Sequence, residues 1–138
     1  MRIQHLLALA LAAGSTLQAQ AIELNEQFAL AITPGIYSDY RNSGISQTLG
    51  DPAAQLDLML SHASGLYAGV WTSNVDFGYD WENDDRFGTR QEIDYYLGYY
   101  WQITDAISLD GYYNHYTFPG EGQFNGCLLY TSDAADER

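Results

Sequence analysis

The chain has 138 residues, with 18 acidic side chains against five lysines and arginines, and a formal net charge of −13 at pH 7. This balance excludes a nucleic-acid-binding protein, because no basic patch is available to meet phosphate groups. The single cysteine, Cys127, excludes an internal disulfide and a metal site built on several thiolates.

The first 21 residues have the features of a cleaved signal peptide. Arg2 precedes an apolar run at residues 6–13, and Ala19 and Ala21 flank a small-x-small cleavage site. The apolar run is too short to span a bilayer as a helix. We therefore predict a signal-peptide helix over residues 1–21, export of the chain, and a mature protein that begins at Ile22. The less favoured alternative is a buried N-terminal helix.

Residues 127–138 resemble translated sequencing-adaptor DNA. The run from Cys127 to Glu137 can be encoded, in one frame, by the read-through of a transposase adaptor. We therefore interpret residues 127–138 as a non-native tail that should be loose, with a native protein continuing beyond residue 126. The alternative is an ordinary acidic tail. Sequencing of the source locus distinguishes the two, because a natural frame that continues unchanged through Cys127 excludes the adaptor.

Between these ends, five segments alternate between two kinds of side chain with a period of two residues, as β-strands do. In the fourth segment one face is apolar and aromatic, with Tyr99 and Trp101 at its end, while the other face carries Glu92 and Asp94. For the third segment the pattern leaves open which face is which. The predicted strands are residues 26–38, 53–62, 66–77, 91–102 and 106–118.

The connections between these strands alternate long, short, long and short, as they do in outer-membrane barrels with long outer loops and short periplasmic turns. The strands are also long enough for a tilted bilayer crossing, which needs about 9–11 residues. We therefore predict an all-β fold: an antiparallel up-and-down meander of about five strands, preceded by the signal-peptide helix. Since membrane barrels need about eight strands or more, the residues 22–126 are expected to be part of an incomplete outer-membrane β-barrel.

In such a barrel the acidic face of the last two strands would line the lumen, where carboxylates favour cations and repel anions. The alternative, held equal, is that these side chains only satisfy one another inside a narrow barrel. Tyr99 and Trp101 are expected at the membrane interface, where aromatic rings concentrate. The predicted lumen-lining residues are Glu92, Asp94, Tyr96, Asp110, Tyr112 and Asn114.

Asp80, Glu82 and Asp84 form a weak candidate for a cation site, because oxygen-rich loops suit hard cations. A solvated outer loop is the favoured interpretation, and no metal site is predicted. The chain has no G-x-S-x-G elbow and no glycine-rich phosphate loop. We therefore expect no enzymatic activity and no cofactor.

Six blocks of the sequence stand out: SDY at residues 38–40, GISQT at 44–48, DPA at 51–53, SGLYAGVWTSNVDF at 64–77, EIDYYLGY at 92–99 and YTFPG at 116–120. Together these blocks resemble the TorF-type porin family, proteobacterial proteins catalogued as conserved hypotheticals. The resemblance covers nearly all of residues 26–120. It implies an exported outer-membrane β-barrel with a pore function, without an assigned substrate or catalytic residues.

These observations favour three hypotheses for the function of the protein. The first is a porin-like outer-membrane barrel for passive diffusion of small cationic or polar solutes. The second is a non-conducting barrel with a structural or adhesive role, and the third is a soluble periplasmic β-carrier. The expected partners are outer-membrane lipid and small solutes, with no nucleic acid, and the pattern does not define an oligomeric state.

Overall fold

The computed structural model describes residues 15–16 and 19–135, and the side-chain surroundings of residues 19–130. The described residues form β-strands and one short 3-10 helix, Gly122–Phe124. In chain order the strands are β1 (Ser15–Thr16), β2 (Gln20–Glu23), β3 (Phe28–Tyr37), β4 (Arg41–Asn42), β5 (Ile45–Ser46), β6 (Ala53–His62), β7 (Leu66–Asn74), β8 (Tyr79–Asp80), β9 (Asp85–Arg86), β10 (Gln91–Gln102), β11 (Ile107–Thr117) and β12 (Gly126–Ala135).

Five long strands, β3, β6, β7, β10 and β11, form the centre of one antiparallel sheet and follow one another in space as they do in sequence. They confirm the five predicted strands and the up-and-down meander. The short turns at residues 63–65 and 103–106 lie at one end of the sheet. The longer connections, residues 38–52, 75–90 and 118–125, lie at the other. Two of these carry small hairpins, β4–β5 and β8–β9.

Both outer positions of the sheet differ from the sequence-based expectation. β1 and β2 lie end to end along β3, in a region predicted to be a signal-peptide helix. No helix is present at the described residues 15–16 and 19–21, and the remainder of that prediction lies outside the described residues. At the opposite edge β12 pairs with β11 over its whole length. The expectation that residues 127–138 would be loose is therefore wrong as far as Ala135, while their adaptor origin stays a prediction.

The sheet is open rather than closed into a barrel. Its path runs from the β1 and β2 edge to β12, and the two edges do not pair with each other within the described residues. In that part of the chain no helix has the length and apolarity needed to cross a membrane. The structure thus shows an all-β antiparallel sheet, and the barrel prediction goes beyond it.

The two sides of the sheet differ sharply in chemistry. One side, which we call the charged face, carries all the acidic side chains of the five long strands: Asp57, Glu92, Asp94 and Asp110. The opposite side, the apolar face, carries no Asp, Glu, Lys or Arg on these strands. Its exposed large apolar side chains are Phe28, Ile36, Leu58, Leu60, Leu66, Val70, Tyr95, Leu97, Tyr99, Trp101, Ile107, Leu109 and Tyr113.

Two tyrosines lie flat across glycines of the neighbouring strand on the charged face. Tyr67 of β7 is paired with Gly98 of β10, and a Cβ on Gly98 would lie 2.3 Å from the Tyr67 ring. Tyr96 of β10 is paired with Gly69 of β7, where a Cβ would lie 2.3 Å from the Tyr96 ring. Each ring therefore occupies the space that any other residue would fill with a side chain.

We predict that Gly98→Ala destabilises the sheet by about 1–3 kcal/mol, because the new methyl group must displace the Tyr67 ring. Gly122→Ala is the matched control, since the nearest atom to its new Cβ would be 3.9 Å away. Urea unfolding of both variants, followed by tyrosine and tryptophan fluorescence, makes the comparison. Equal midpoints for Gly98→Ala and the parent chain would contradict the close-packing argument.

Candidate functional site

The charged face brings the predicted site residues together on adjacent strands. Glu92, Asp94 and Tyr96 alternate along β10, while Asp110, Tyr112 and Asn114 alternate along β11. The register places Tyr96 opposite Asn114 and Gly98 opposite Tyr112, so the six side chains share one side of the sheet. Their role in lining a lumen stays a prediction.

Sequence reasoning missed two members of this face. Asp57 lies on β6 and Tyr67 on β7, and both point to the same side as the acidic residues of β10. The alternation of the third strand was ambiguous, since both of its sides contain small and apolar residues. The pairing of Tyr67 with Gly98 removes that ambiguity, because directly paired residues lie on the same side of a sheet.

Three of the carboxylates accept a hydrogen bond from a side chain on another strand. The Tyr67 hydroxyl donates to Asp110 Oδ1 at 2.7 Å, and the Tyr96 hydroxyl donates to Asp57 Oδ1 at 2.7 Å. Asn114 Nδ2 donates to Asp94 Oδ2 at 2.7 Å. Each tyrosine starts on one strand, crosses a glycine on the next and reaches a carboxylate on a third strand. These contacts join β6, β7, β10 and β11 into one polar network.

The fourth carboxylate, Glu92, lies at the loop end of the charged face. Glu92 is only 4% exposed, because the 38–52 connection folds back over it. Tyr40 of that connection packs its ring 5.4 Å from the ring of Trp71 and lies beside Glu92. Burial, and then the negative charge of Glu92, raise the pKa of Tyr40 above its usual range, so its phenol stays protonated.

A cavity of about 400 Å³ opens between this connection and the strands. Glu92, Asp94 and Asn114 contribute to one wall, and the rings of Tyr40, Trp71 and Tyr116 contribute to the others. Three buried oxygens of its acidic wall have no hydrogen-bond partner among the described residues: Glu92 Oε2, Asp94 Oδ1 and Asn114 Oδ1. Since buried polar groups are nearly always paired, these oxygens mark the wall as unusual.

Asp39 holds the 38–52 connection in place. Ser46 and Thr48 both donate hydroxyl hydrogen bonds to its Oδ1, and Arg41 Nε lies 2.7 Å from its Oδ2. The hydrogen bond from Ser46, followed by those from Thr48 and the charge of Arg41, holds the pKa of Asp39 below its usual value. The cover of the Glu92 cavity therefore depends on an ionised carboxylate.

The other long connections pack on one another through aromatic rings. Phe77 and Phe118 lie 5.3 Å apart, and Phe124 contacts both Phe77 and Phe87. The backbone N–H of Gly78 and the Arg86 guanidinium hold the pKa of the Asp76 carboxyl below its usual value. These contacts close the loop end beside the cavity.

In the weak candidate cation site, the Asp80 and Asp84 carboxylates accept hydrogen bonds from their own loop. Asp80 accepts from the backbone N–H of Glu82 and from Asn83 Nδ2, and Asp84 accepts from the Tyr79 hydroxyl. Within the described part of the chain no three His, Cys, Asp or Glu side chains group closely enough to hold a metal ion. The loop that contains Asp80 and Asp84 is therefore a turn held by its own hydrogen bonds.

The two predicted interface aromatics lie on the apolar face, near the short turn between β10 and β11. Tyr99 is 48% exposed and Trp101 53% exposed. Their position at the turn end is where an interfacial ring would sit if the apolar face met a bilayer.

We predict that Tyr96→Phe destabilises the fold by about 1–3 kcal/mol, because the variant leaves Asp57 without its hydroxyl donor. The matched control is Tyr95→Phe, the next residue along β10, whose ring lies on the apolar face. Urea unfolding of both variants in the same detergent measures the change in their free energy of unfolding. A Tyr96→Phe loss no larger than that of Tyr95→Phe would argue against the network.

We also predict that acid releases the 38–52 connection. The folded chain lowers the pKa of Asp39, so its contacts stabilise the connection above the ordinary aspartate pKa of about 3.9. That stabilisation is lost as the pH falls further, through the lowered pKa of the folded state. Amide hydrogen exchange of residues 38–52, corrected for intrinsic rates, should begin to lose protection below about pH 5, where such a carboxyl begins to titrate. Asp39→Asn should remove this pH dependence, whereas the exposed Asp51→Asn should keep it; identical profiles for both variants would contradict the assignment.

Comparison with known proteins corrects the resemblance drawn from the sequence blocks. Searches of curated proteins and of solved structures each found no match. Residues 22–136 match the family model described as Bacterial protein of unknown function (Gcw_chp). The matching family is thus not the TorF-type porin family, and a pore does not follow from membership, because the description assigns no function. The chain belongs to the Gcw_chp family of bacterial proteins of unknown function.

Proposed function

We propose that the sheet forms part of the wall of an outer-membrane β-barrel through which small cationic or polar solutes diffuse passively. One observation carries the proposal: every charged side chain of the five long strands lies on one face, and the opposite face is apolar and exposed. A water-soluble sheet would turn its apolar side inward. No catalytic chemistry is proposed.

The apolar face favours lipid as its neighbour. Soluble monomers rarely expose contiguous apolar patches beyond a few hundred Å². Along β10 the apolar face runs from Ile93 to Trp101, about 26 Å at about 3.3 Å per residue. That length is comparable to the apolar band of about 25 Å on outer-membrane barrels. Strand tilt makes the height that the strand spans along the barrel axis somewhat shorter than its length. Tyr99 and Trp101 would then lie at the periplasmic boundary, next to the short turn.

The backbone supports the same environment. In lipid each backbone N–H and C=O must be paired within the protein, which a meander of neighbouring strands achieves everywhere except at its two edges. The proposal therefore requires strands that pair with those edges, whichever chain supplies them. Export by the predicted signal peptide would deliver the chain to the periplasmic side of the outer membrane.

The charged face supplies the selectivity. Asp94 and Asp110 would face the lumen, where their charge attracts cations and repels anions. The whole chain is also strongly acidic, with a net charge of −13. This charge would raise the local concentration of cations at the two openings of the barrel.

A second function, a non-conducting structural or adhesive barrel, is favoured by the hydrogen bonds that tie the carboxylates to Tyr67, Tyr96 and Asn114. A narrow barrel filled by such a network would not conduct. A soluble periplasmic carrier is less favoured, because a carrier needs a continuous apolar interior. The buried apolar residues of the described chain are few: Ala29, Ala53, Tyr67, Val75 and Phe118.

We predict cation-selective conductance when the protein, purified as a heat-modifiable barrel with its sheet edges paired, is reconstituted in planar bilayers. Asp94→Asn and Asp110→Asn should each lower the cation-to-anion permeability ratio, because each removes one charge from the charged face. Asp105→Asn, in the exposed turn between β10 and β11, is the control for an equal charge change elsewhere. A heat-modifiable outer-membrane band without conductance would favour the structural barrel, and recovery in the soluble periplasmic fraction would exclude both membrane functions.

A further inference from the structure

The wall of the cavity at the loop end of the charged face carries hydrogen-bond acceptors that the described residues leave without a partner. No basic side chain in that part of the chain is free to pair with them. Glu92 is 4% exposed, and its Oε2 has no hydrogen-bond partner among the described residues. Asp94 Oδ1 and Asn114 Oδ1, on the same wall, are buried and equally unpaired. Leaving such groups unpaired costs about 1–3 kcal/mol each, and more for charged ones. A ligand that donates hydrogen bonds to this wall would satisfy these oxygens.

The nearby basic side chain does not fill that role. Arg41 borders the cavity, but its guanidinium is committed to Asp39, 2.7 Å away, and to the carbonyl oxygen of Gly44. It stabilises the cover of the cavity rather than its acidic wall. No lysine or arginine among the described residues forms an ion pair with Glu92 or Asp94.

Aromatic rings supply the other walls. Tyr40 and Trp71 pack edge to face with their centroids 5.4 Å apart, and Tyr116 lies on the strand beside Asn114. Faces of aromatic rings attract cations electrostatically, with tryptophan the strongest. None of these residues belongs to the segment 127–138, although β12 also borders the cavity.

We propose that this cavity is a binding subsite for a small organic cation that carries a primary ammonium group. The ammonium presents three N–H donors, and the carboxyl groups of Glu92 and Asp94 and the amide of Asn114 lie on one wall of the cavity. Small rotations about the broad terminal torsions of Glu92 and Asp94 would turn their unpaired oxygens, which are buried in this structure, toward the cavity. A hard metal ion fits less well, since Ca²⁺ takes six to eight oxygen ligands. The volume of about 400 Å³ accommodates the cation together with a short alkyl chain.

This inference deepens the proposed function and rests on it in one respect: the subsite lies on a diffusion path only if the charged face lines a lumen. Binding itself requires only the folded cavity. The two can therefore fail separately, and they are measured separately.

The test is isothermal titration of the detergent-solubilised full chain with n-butylammonium, with n-butanol as the neutral isostere and tetramethylammonium as a cation without N–H donors. We expect saturable one-to-one binding of n-butylammonium and weaker binding of the other two. Glu92→Gln and Asp94→Asn should each weaken it by about tenfold or more, as for loss of one charged hydrogen bond. Asp57→Asn is the matched control: it removes a carboxylate from the same face, keeps an acceptor for Tyr96 and does not line the cavity.

Several results would overturn the subsite. These are equal binding of n-butanol or tetramethylammonium, unchanged affinity in Glu92→Gln, an equal loss in Asp57→Asn, or binding of Ca²⁺ alone. Conductance in KCl is recorded on the same preparation after heat-modifiable migration has shown that it forms a closed barrel. Binding without conductance removes the transport proposal and keeps the subsite, whereas conductance without binding does the reverse.

Discussion

The sheet depends on the close approach of two tyrosine rings to two glycines. Tyr67 lies across Gly98 and Tyr96 lies across Gly69, in adjacent registers of the same strand pair. A side chain at either glycine would lift the ring off the backbone. The rings then could not lie flat enough to reach the carboxylates of the next strand. The glycines, which weaken an ordinary strand, are in this sheet the condition for its longest side-chain contacts.

From those contacts follows the separation of charge across the sheet. The tyrosine hydroxyls hold Asp57 of β6 and Asp110 of β11, so the carboxylates of the strands that flank β7 and β10 are fixed on the tyrosine side. A register slip of one residue in β10 would move Glu92 and Asp94 to the apolar face and would carry Tyr96 away from Asp57. Register, charge separation and the tyrosine–glycine pairs therefore reinforce one another, and the apolar face is left free of charge across all five long strands.

The loop end adds a feature that the strands alone do not have. The 38–52 connection, held by Asp39, covers Glu92 and brings Tyr40 against Trp71. An acidic position on an open sheet thereby becomes a buried wall of a cavity. The same cover explains why Glu92 is buried whereas Asp57 and Asp110 are only partly buried, and the Glu92 Oε2 atom has no hydrogen-bond partner among the described residues.

The alternation of side chains by itself determined the five long strands, their antiparallel order and the common side of Glu92, Asp94 and Asp110, because a pleated strand repeats every two residues. It could not assign the faces of β7, since small and apolar residues occupy both sides of that strand. The strand pairing at both edges was missed as well: composition predicted a signal helix at one end and a loose tail at the other, whereas the unpaired edges of β3 and β11 offer backbone groups that such segments can pair with. Only the tertiary structure decided which carboxylates are paired and which stay unpaired, because that depends on contacts between residues that are distant in sequence, such as Tyr67 with Asp110 and Tyr40 with Glu92.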